Sequence, residues 1–170
     1  MKERIYLIGF MGVGKTTLGK KLARQLGYRF VDLDDFFETK YKIEIHQFFE
    51  KYGENLFREL ESERLKKTFA MENVVVATGG GTPCYHNGVE EMNRHGLTVF
   101  LDMPPAALAR RLLHAKRKRP LVAGKTGETL TLYIEEKLQA RQACYNKALL
   151  KVNPLHTNVQ ALAEKIRNMA

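Results

Sequence analysis

Gly9-Phe10-Met11-Gly12-Val13-Gly14-Lys15-Thr16 carries the spacing G-x-x-x-x-G-K-T. Ahead of it, Ile5-Tyr6-Leu7-Ile8 is a short apolar run that reads as a buried strand. Behind it, Leu18, Leu22, Ala23 and Leu26 recur at helical spacing. Strand, glycine loop and helix in that order is the context of a phosphate-binding loop. Gly9, Gly12 and Gly14 permit backbone angles that a β-carbon forbids. Successive N–H groups then converge on an anion, and the start of the following helix adds partial positive charge. Lys15 is placed to reach the outer phosphates, and the Thr16 hydroxyl to ligate magnesium. A plain glycine turn is the alternative, but at average glycine usage this pattern is rare by chance.

The remaining composition sets the frame. A chain of 170 residues is long enough to bury a core as one domain. Hydrophobic residues make up 44% and charged residues 28%, ordinary values for a globular protein. The net charge of +9 fits a nucleic-acid binder or an enzyme of polyanionic substrates, and the phosphate loop favours the second. Two cysteines, Cys84 and Cys144, are too few for a disulfide framework, so a reducing cytoplasm is expected. No apolar run has membrane-spanning length, and a first strand beginning by Ile5 leaves no room for a signal peptide.

Along the chain, the first helix ends near Gly27. A second strand over residues 28–33 ends in Asp32-Leu33-Asp34-Asp35, and short helical pieces follow. Residues 54–71 read as an amphipathic helix with Leu56, Phe57, Leu60 and Leu65. Residues 73–78 form a buried strand that runs into Gly79-Gly80-Gly81, and 97–102 another. Pro104-Pro105 opens a helix. A mobile basic loop follows, then a helix over 129–149, a short strand near 151–153, and a last helix with a capping box at Thr157-Asn158-Val159-Gln160. Strands alternating with helices predict an α/β fold, a parallel sheet with helices on both faces. Ligands in such sheets bind at the carboxyl ends of the strands. That rule gathers the phosphate loop, the Asp pair and the triple glycine at one edge.

Asp32 and Asp34 are two apart at a strand end, so both carboxylates can face the cleft. One suits the outer shell of a metal, the other a hydroxyl nucleophile. The plain alternative is that these acids cap the next helix, a task that also fits Asp35. Arg58 lies between Glu54 and Glu61 on one helix face. A fixed guanidinium suits a forked clamp on a carboxylate, while the charge pattern alone reads as a solvated ion network. Gly79-Gly80-Gly81 lets the backbone approach a ligand, or is a flexible turn. Lys116-Arg117-Lys118-Arg119 reads as an RNA-binding patch, a solvated loop, or a basic lid over transferring phosphates. Arg141 is by local pattern one more helix arginine. His46, His86, His95, His114 and His156 lack zinc-ligand spacing and read as surface residues.

These motifs, in this order, resemble the shikimate kinases: the phosphate loop, Asp32-x-Asp34, Phe57-Arg58-x-x-Glu61, Gly79-Gly80-Gly81, Arg119-Pro120-Leu121, and Arg141 four residues before Tyr145. The match spans nearly the whole chain. The resemblance implies ATP-dependent phosphorylation of the 3-hydroxyl of shikimate, in aromatic amino-acid biosynthesis. It implies a three-layer α/β/α fold like that of the nucleoside monophosphate kinases, with a five-stranded parallel sheet. It implies one domain over residues 1–170, with a substrate-binding segment at 34–61 and a lid at 113–126. ATP is then held by Gly12, Val13, Gly14, Lys15, Thr16, Thr17 and Arg119. Arg111 lies against adenine, with Arg110 competing for that place. Mg2+ is bound by Thr16 and supported by Asp32. Asp34, Arg58, Gly79, Gly80, Gly81 and Arg141 bind shikimate, and Lys15, Asp34 and Arg119 are catalytic. The expected partners are the small molecules ATP and shikimate, with no nucleic acid and no membrane, in a cytoplasmic monomer. The chain departs from the family pattern in a longer spacing before Arg119, and in Ala143 where a proline is usual.

The sequence is also compatible with two rival readings. A kinase of another polyol acid, such as gluconate, shares the phosphate loop but should lack Arg58 together with the triple glycine. An RNA-binding or nucleotide-sensing module accounts for the basic run but gives Asp32 and Asp34 no task.

Overall fold

The computed structural model of the chain describes residues 4–115 and 120–169. Five strands form one parallel sheet: β1 (Arg4–Ile8), β2 (Arg29–Asp32), β3 (Val74–Ala77), β4 (Leu97–Leu101) and β5 (Leu150–Val152). Their order is β2-β3-β1-β4-β5, with Ile5 opposite Val75 on one side and Leu97 on the other. Central strands covered on both faces must be apolar throughout, and Val74 to Ala77 are all buried.

Side chains of β1 alternate between the two faces. Ile5 and Leu7 pack with Leu22, Ala23, Leu130, Ile134, Leu162 and Ile166, from α1 (Lys15–Leu26), α7 (Gly127–Tyr145) and α8 (Val159–Asn168). Tyr6 and Ile8 pack with Leu65, Val89, Met92 and Tyr145, from α4 (Glu54–Thr68), α5 (Gly88–His95) and the end of α7. The result is the expected three-layer arrangement. From β1 the chain crosses beyond β3 to reach β2, whereas from β3 it crosses beyond β1 to reach β4. The strand order therefore switches at β1 and β3, which opens a crevice at their carboxyl ends.

Beside the sheet, α2 (Leu33–Tyr41), α3 (Ile45–Tyr52) and the start of α4 form a small satellite. Its centre is Phe37, whose ring lies 5.1 Å from that of Phe48 and 4.9 Å from that of Phe57. A further helix, α6 (Pro105–Leu113), precedes the basic run.

Several boundaries differ from the sequence reading. Helix α4 stops at Thr68, where the Thr68 hydroxyl donates to the Leu65 carbonyl at 2.6 Å. Helix α7 stops at Tyr145 rather than 149, because Lys147 N–H bonds back to Cys144 in a tighter turn. The last helix is capped by Asn158, whose side chain accepts from the Gln160 and Ala161 N–H groups. Thr157 instead donates to the Asn153 carbonyl at 2.6 Å, so the expected capping box is absent. His95 is not a plain surface residue: it is half-buried and stacks on Phe69 with centroids 3.9 Å apart. The expected lid falls partly on residues 116–119, so Arg119 and its basic neighbours lie outside the described residues.

Candidate active site

At the end of β1 the chain turns through Gly9, Gly12 and Gly14, all at positive φ. An ideal β-carbon on Gly9 would stand 2.8 Å from the Leu101 carbonyl oxygen, so the loop is pressed against β4. Gly14, at φ 100°, immediately precedes α1 and directs its first N–H groups into the loop. Lys15 Nζ donates to the carbonyls of Gly9 and Phe10 at 2.7 and 2.9 Å, lying across the loop. Val13 is buried, Gly12 half-buried and Thr17 exposed. Arg111, at the end of α6, donates to the Val13 carbonyl at 3.0 Å. Arg110 instead lines a surface cavity between α6 and α7, together with Leu113 and Leu132. Of the two candidates, Arg111 is therefore the one beside the phosphate loop.

Asp32 ends β2 next to this loop. Its Oδ2 accepts from the Thr16 hydroxyl at 2.6 Å, and its Oδ1 accepts from Asp34 N–H at 3.0 Å and Asp35 N–H at 3.4 Å. Asp32 thus does two jobs: it caps α2, and it faces the phosphate site. The capping role weighed for Asp35 belongs to Asp32. The pair Thr16 and Asp32 is a hard-oxygen donor set that fits magnesium, which keeps several waters and relies on substrate phosphates. Among the described residues no group of three His, Cys, Asp or Glu side chains forms a metal cage of protein ligands alone. Asp34 sits one residue into α2, with Oδ1 3.2 Å from where a β-carbon on Gly79 would lie.

Arg58 is the clearest departure from the plain reading. It is 9% exposed, not a solvated surface charge. Glu54 Oε1 accepts from its Nε and Nη2 at 3.2 and 3.1 Å, and Glu61 Oε1 from its Nη1 at 2.9 Å. Burial works to lower its pKa, but the Glu61 charge and the bonds to Glu61 and Glu54 outweigh it, and the guanidinium is held above its ordinary value. Tyr85 covers it at 4.2 Å from the ring centroid. Thr82 donates to Glu61 Oε2 at 2.7 Å and fixes the carboxylate from the other side. Neither Tyr85 nor Thr82 stands out in the sequence, since both follow the glycines without any local signature.

The triple glycine lies between two arginines. Arg58 rests on Gly81, and Arg141 Nη1 lies 3.1 Å from the place of a β-carbon on Gly80. Arg141 reaches this point from α7, its guanidinium 5.7 Å from the Phe10 ring centroid. Among the described residues its buried Nη1 has no hydrogen-bond partner. A buried cationic donor in that state is poised for an anion. Tyr145, one turn on, donates to the Gly80 carbonyl at 2.6 Å. Burial pushes the Tyr145 phenol up, and the Arg141 charge only partly opposes it. The sequence reading leaves the cysteines unpaired, whereas the structure joins Cys84 and Cys144 in a disulfide across this same junction.

A phosphate loop on the central strand, facing a carboxylate and two convergent guanidinia, defines a P-loop kinase of a small acidic acceptor. The model of the family described as shikimate kinase matches residues 11–170. The chain belongs to the shikimate kinase family, whose members phosphorylate shikimate with ATP in aromatic amino-acid biosynthesis. It is 48% identical over 168 residues to the shikimate kinase of Phocaeicola vulgatus, covering 96% of each chain. The crystal structure of shikimate kinase from Bacteroides thetaiotaomicron superposes with a TM-score of 0.92 at 39% identity, covering 99% of this chain and 98% of that one. Shikimate kinase from Acinetobacter baumannii, solved in complex with shikimate, gives 0.83 at 32% identity, covering 99% and 93%.

Proposed function

We propose that this chain, as one domain over residues 1–170, transfers the terminal phosphoryl group of ATP to the 3-hydroxyl of shikimate. The observation that carries this reading is the pair of guanidinia on the triple glycine. Arg58, immobilised by Glu54 and Glu61, and Arg141, whose buried Nη1 has no partner among the described residues, suit one planar carboxylate.

Gly12, Val13, Gly14, Lys15, Thr16 and Thr17 hold the ATP phosphates through loop N–H groups, one ammonium and hydroxyls. Arg111 lies against adenine. Thr16 would hold Mg2+, with Asp32 orienting the Thr16 hydroxyl through their 2.6 Å contact, and the ion would supply charge neutralisation to the phosphates. Asp34 accepts hydrogen bonds from the acceptor hydroxyls and takes the proton of the attacking one. Gly80 donates its backbone N–H to the acceptor, and Gly79 and Gly81 keep side chains out of the way. Lys15 and Arg119 stabilise the charge spread over the transferring group. Residues 34–61 form the acceptor segment and 113–126 the lid. Among the described residues no helix is long and apolar enough to cross a membrane. The working form is a cytoplasmic monomer acting on small molecules, not on nucleic acid.

The test is a coupled ATPase assay with shikimate and gluconate side by side, repeated with Arg141→Ala. Turnover should require shikimate and Mg2+, and Arg141→Ala should lose about 30- to 1,000-fold in kcat/KM for shikimate, the scale of a stranded charge-assisted bond. Equal turnover of gluconate, or an unaffected Arg141→Ala, overturns the assignment.

A further inference from the structure

Cys84 closes the 3-10 turn Thr82–Cys84 directly after the triple glycine. Cys144 lies in the last turn of α7. The two are disulfide-bonded with α-carbons 5.4 Å apart, a spacing that a bridge spans without backbone movement. Both residues are half-buried, so neither is sealed in the core. Their neighbours are the clamp itself. On one side, Gly81 and Tyr85 bracket Cys84, and both touch Arg58. On the other, Arg141 and Tyr145 bracket Cys144, and both meet Gly80. The phosphoryl transfer described above uses neither sulfur.

We propose that Cys84 and Cys144 form a reversible thiol–disulfide site that tunes affinity for the acceptor carboxylate. The bridged form holds the supports of Arg58 and Arg141 in register. In the dithiol form only noncovalent contacts such as the Tyr145–Gly80 bond tie the glycine turn to α7, so ordering the clamp costs more when the acceptor binds. This rests on the reading of Arg58 and Arg141 as the carboxylate clamp. The oxidant is a small disulfide such as oxidised glutathione. A thiolate of the pair attacks it and expels one reduced thiol. The second thiolate then displaces the other thiol from the mixed disulfide. The protein gives up two electrons and two protons, and the reagent becomes two thiols.

Linkage fixes the consequence. If the bridged form binds shikimate more tightly by some factor, shikimate shifts the thiol–disulfide equilibrium towards the bridge by that same factor. The experiment poises the full-length protein in glutathione buffers and counts free thiols after denaturation, with and without saturating shikimate. Shikimate binding to each form is measured by calorimetry. The bridged form should bind shikimate about fivefold tighter or more, at the low end of ordinary coupling, with ATP affinity unchanged. Shikimate should move the glutathione midpoint by the same factor, and ATP should not. Cys84→Ser and Cys144→Ser should each bind shikimate like the dithiol form, blind to oxidant. Equal shikimate affinity of the bridged and reduced forms overturns the proposal, even if the bridge raises Tm. So do two thiols that stay free at every glutathione ratio. Binding of shikimate by neither form defeats the substrate reading and this inference with it.

Discussion

The guanidinium of Arg58 rests on the bare α-carbon of Gly81: an ideal β-carbon there would stand 2.6 Å from Nη1 and 2.7 Å from Nη2. Gly81 has φ −91° and ψ −17°, which alanine adopts freely. The glycine is required by the arginine and not by the backbone.

Gly81→Ala should therefore fold normally while displacing the end of the Arg58 side chain. The KM for shikimate should rise about tenfold or more, the scale of one weakened charge-assisted bond, and the KM for ATP should stay near its parent value. Steady-state kinetics with each substrate varied in turn, alongside a melting curve, checks both halves. A large drop in Tm with an unchanged KM for shikimate would show that Gly81 serves the fold instead.

Thr82→Val tests the support behind Arg58. The Thr82 hydroxyl is buried and donates to Glu61 Oε2 at 2.7 Å, so valine strands one carboxylate oxygen. The cost should be about 1–3 kcal/mol of stability in urea unfolding, together with weaker shikimate binding. Thr82→Ser keeps the donor and should recover most of both.

The two aspartates should separate cleanly. Asp34→Asn preserves size and leaves the α2 cap intact, because that cap is the Asp32 side chain. Its kcat should fall about 100-fold or more, as for loss of a general base, with ATP binding unchanged. Asp32→Ala removes the cap and the Thr16 contact together, so it should cost about 1 kcal/mol of stability and raise the magnesium requirement. Kinetics at several magnesium concentrations, with thermal melts of both variants, distinguish the two roles.

Alkaline pH should expose the buried phenols. Tyr145 and Tyr6 are both raised from their ordinary value of 10.0 by burial, Tyr145 against the opposing Arg141 charge and Tyr6 against its bond with Thr68. The native state thus holds these protons more tightly than the unfolded chain. Their contribution is fully present below pH about 10, and is lost as pH rises from there through the folded-state values. Denaturant unfolding at pH 8 and above pH 10 should show stability falling, and Tyr145→Phe should fall less steeply. An identical slope in that variant would remove Tyr145 from the effect.

Much of the site was legible in the sequence because it is local. The glycine spacing prescribes the loop backbone, and the following residues prescribe a helix whose N–H groups point into it. Strand alternation does not place Asp34, because β2 ends at Asp32 and Asp34 already lies in α2, whereas Glu54, Arg58 and Glu61 need only the pitch of a helix. Even there local pattern misled: the charges around Arg58 look solvated until Tyr85, Phe57 and Gly81 close over them. The cap of α8 falls one residue later than the local pattern predicts for a similar reason, since Thr157 finds a carbonyl at Asn153 instead of its own helix.

By itself, the sequence determined the elements, the phosphate loop and the family of motifs, because chain geometry propagates over a few residues. The strand order was decided only in three dimensions. By setting β3 beside β1, it brings Gly80 under Arg141 and Tyr145, Gly81 under Arg58, and Cys84 against Cys144, pairs in which the partners are 23 to 65 residues apart. No local rule reaches across such distances. Burial of both faces of the sheet fixes where each helix must lie, and the convergence of the two arginines follows from that packing.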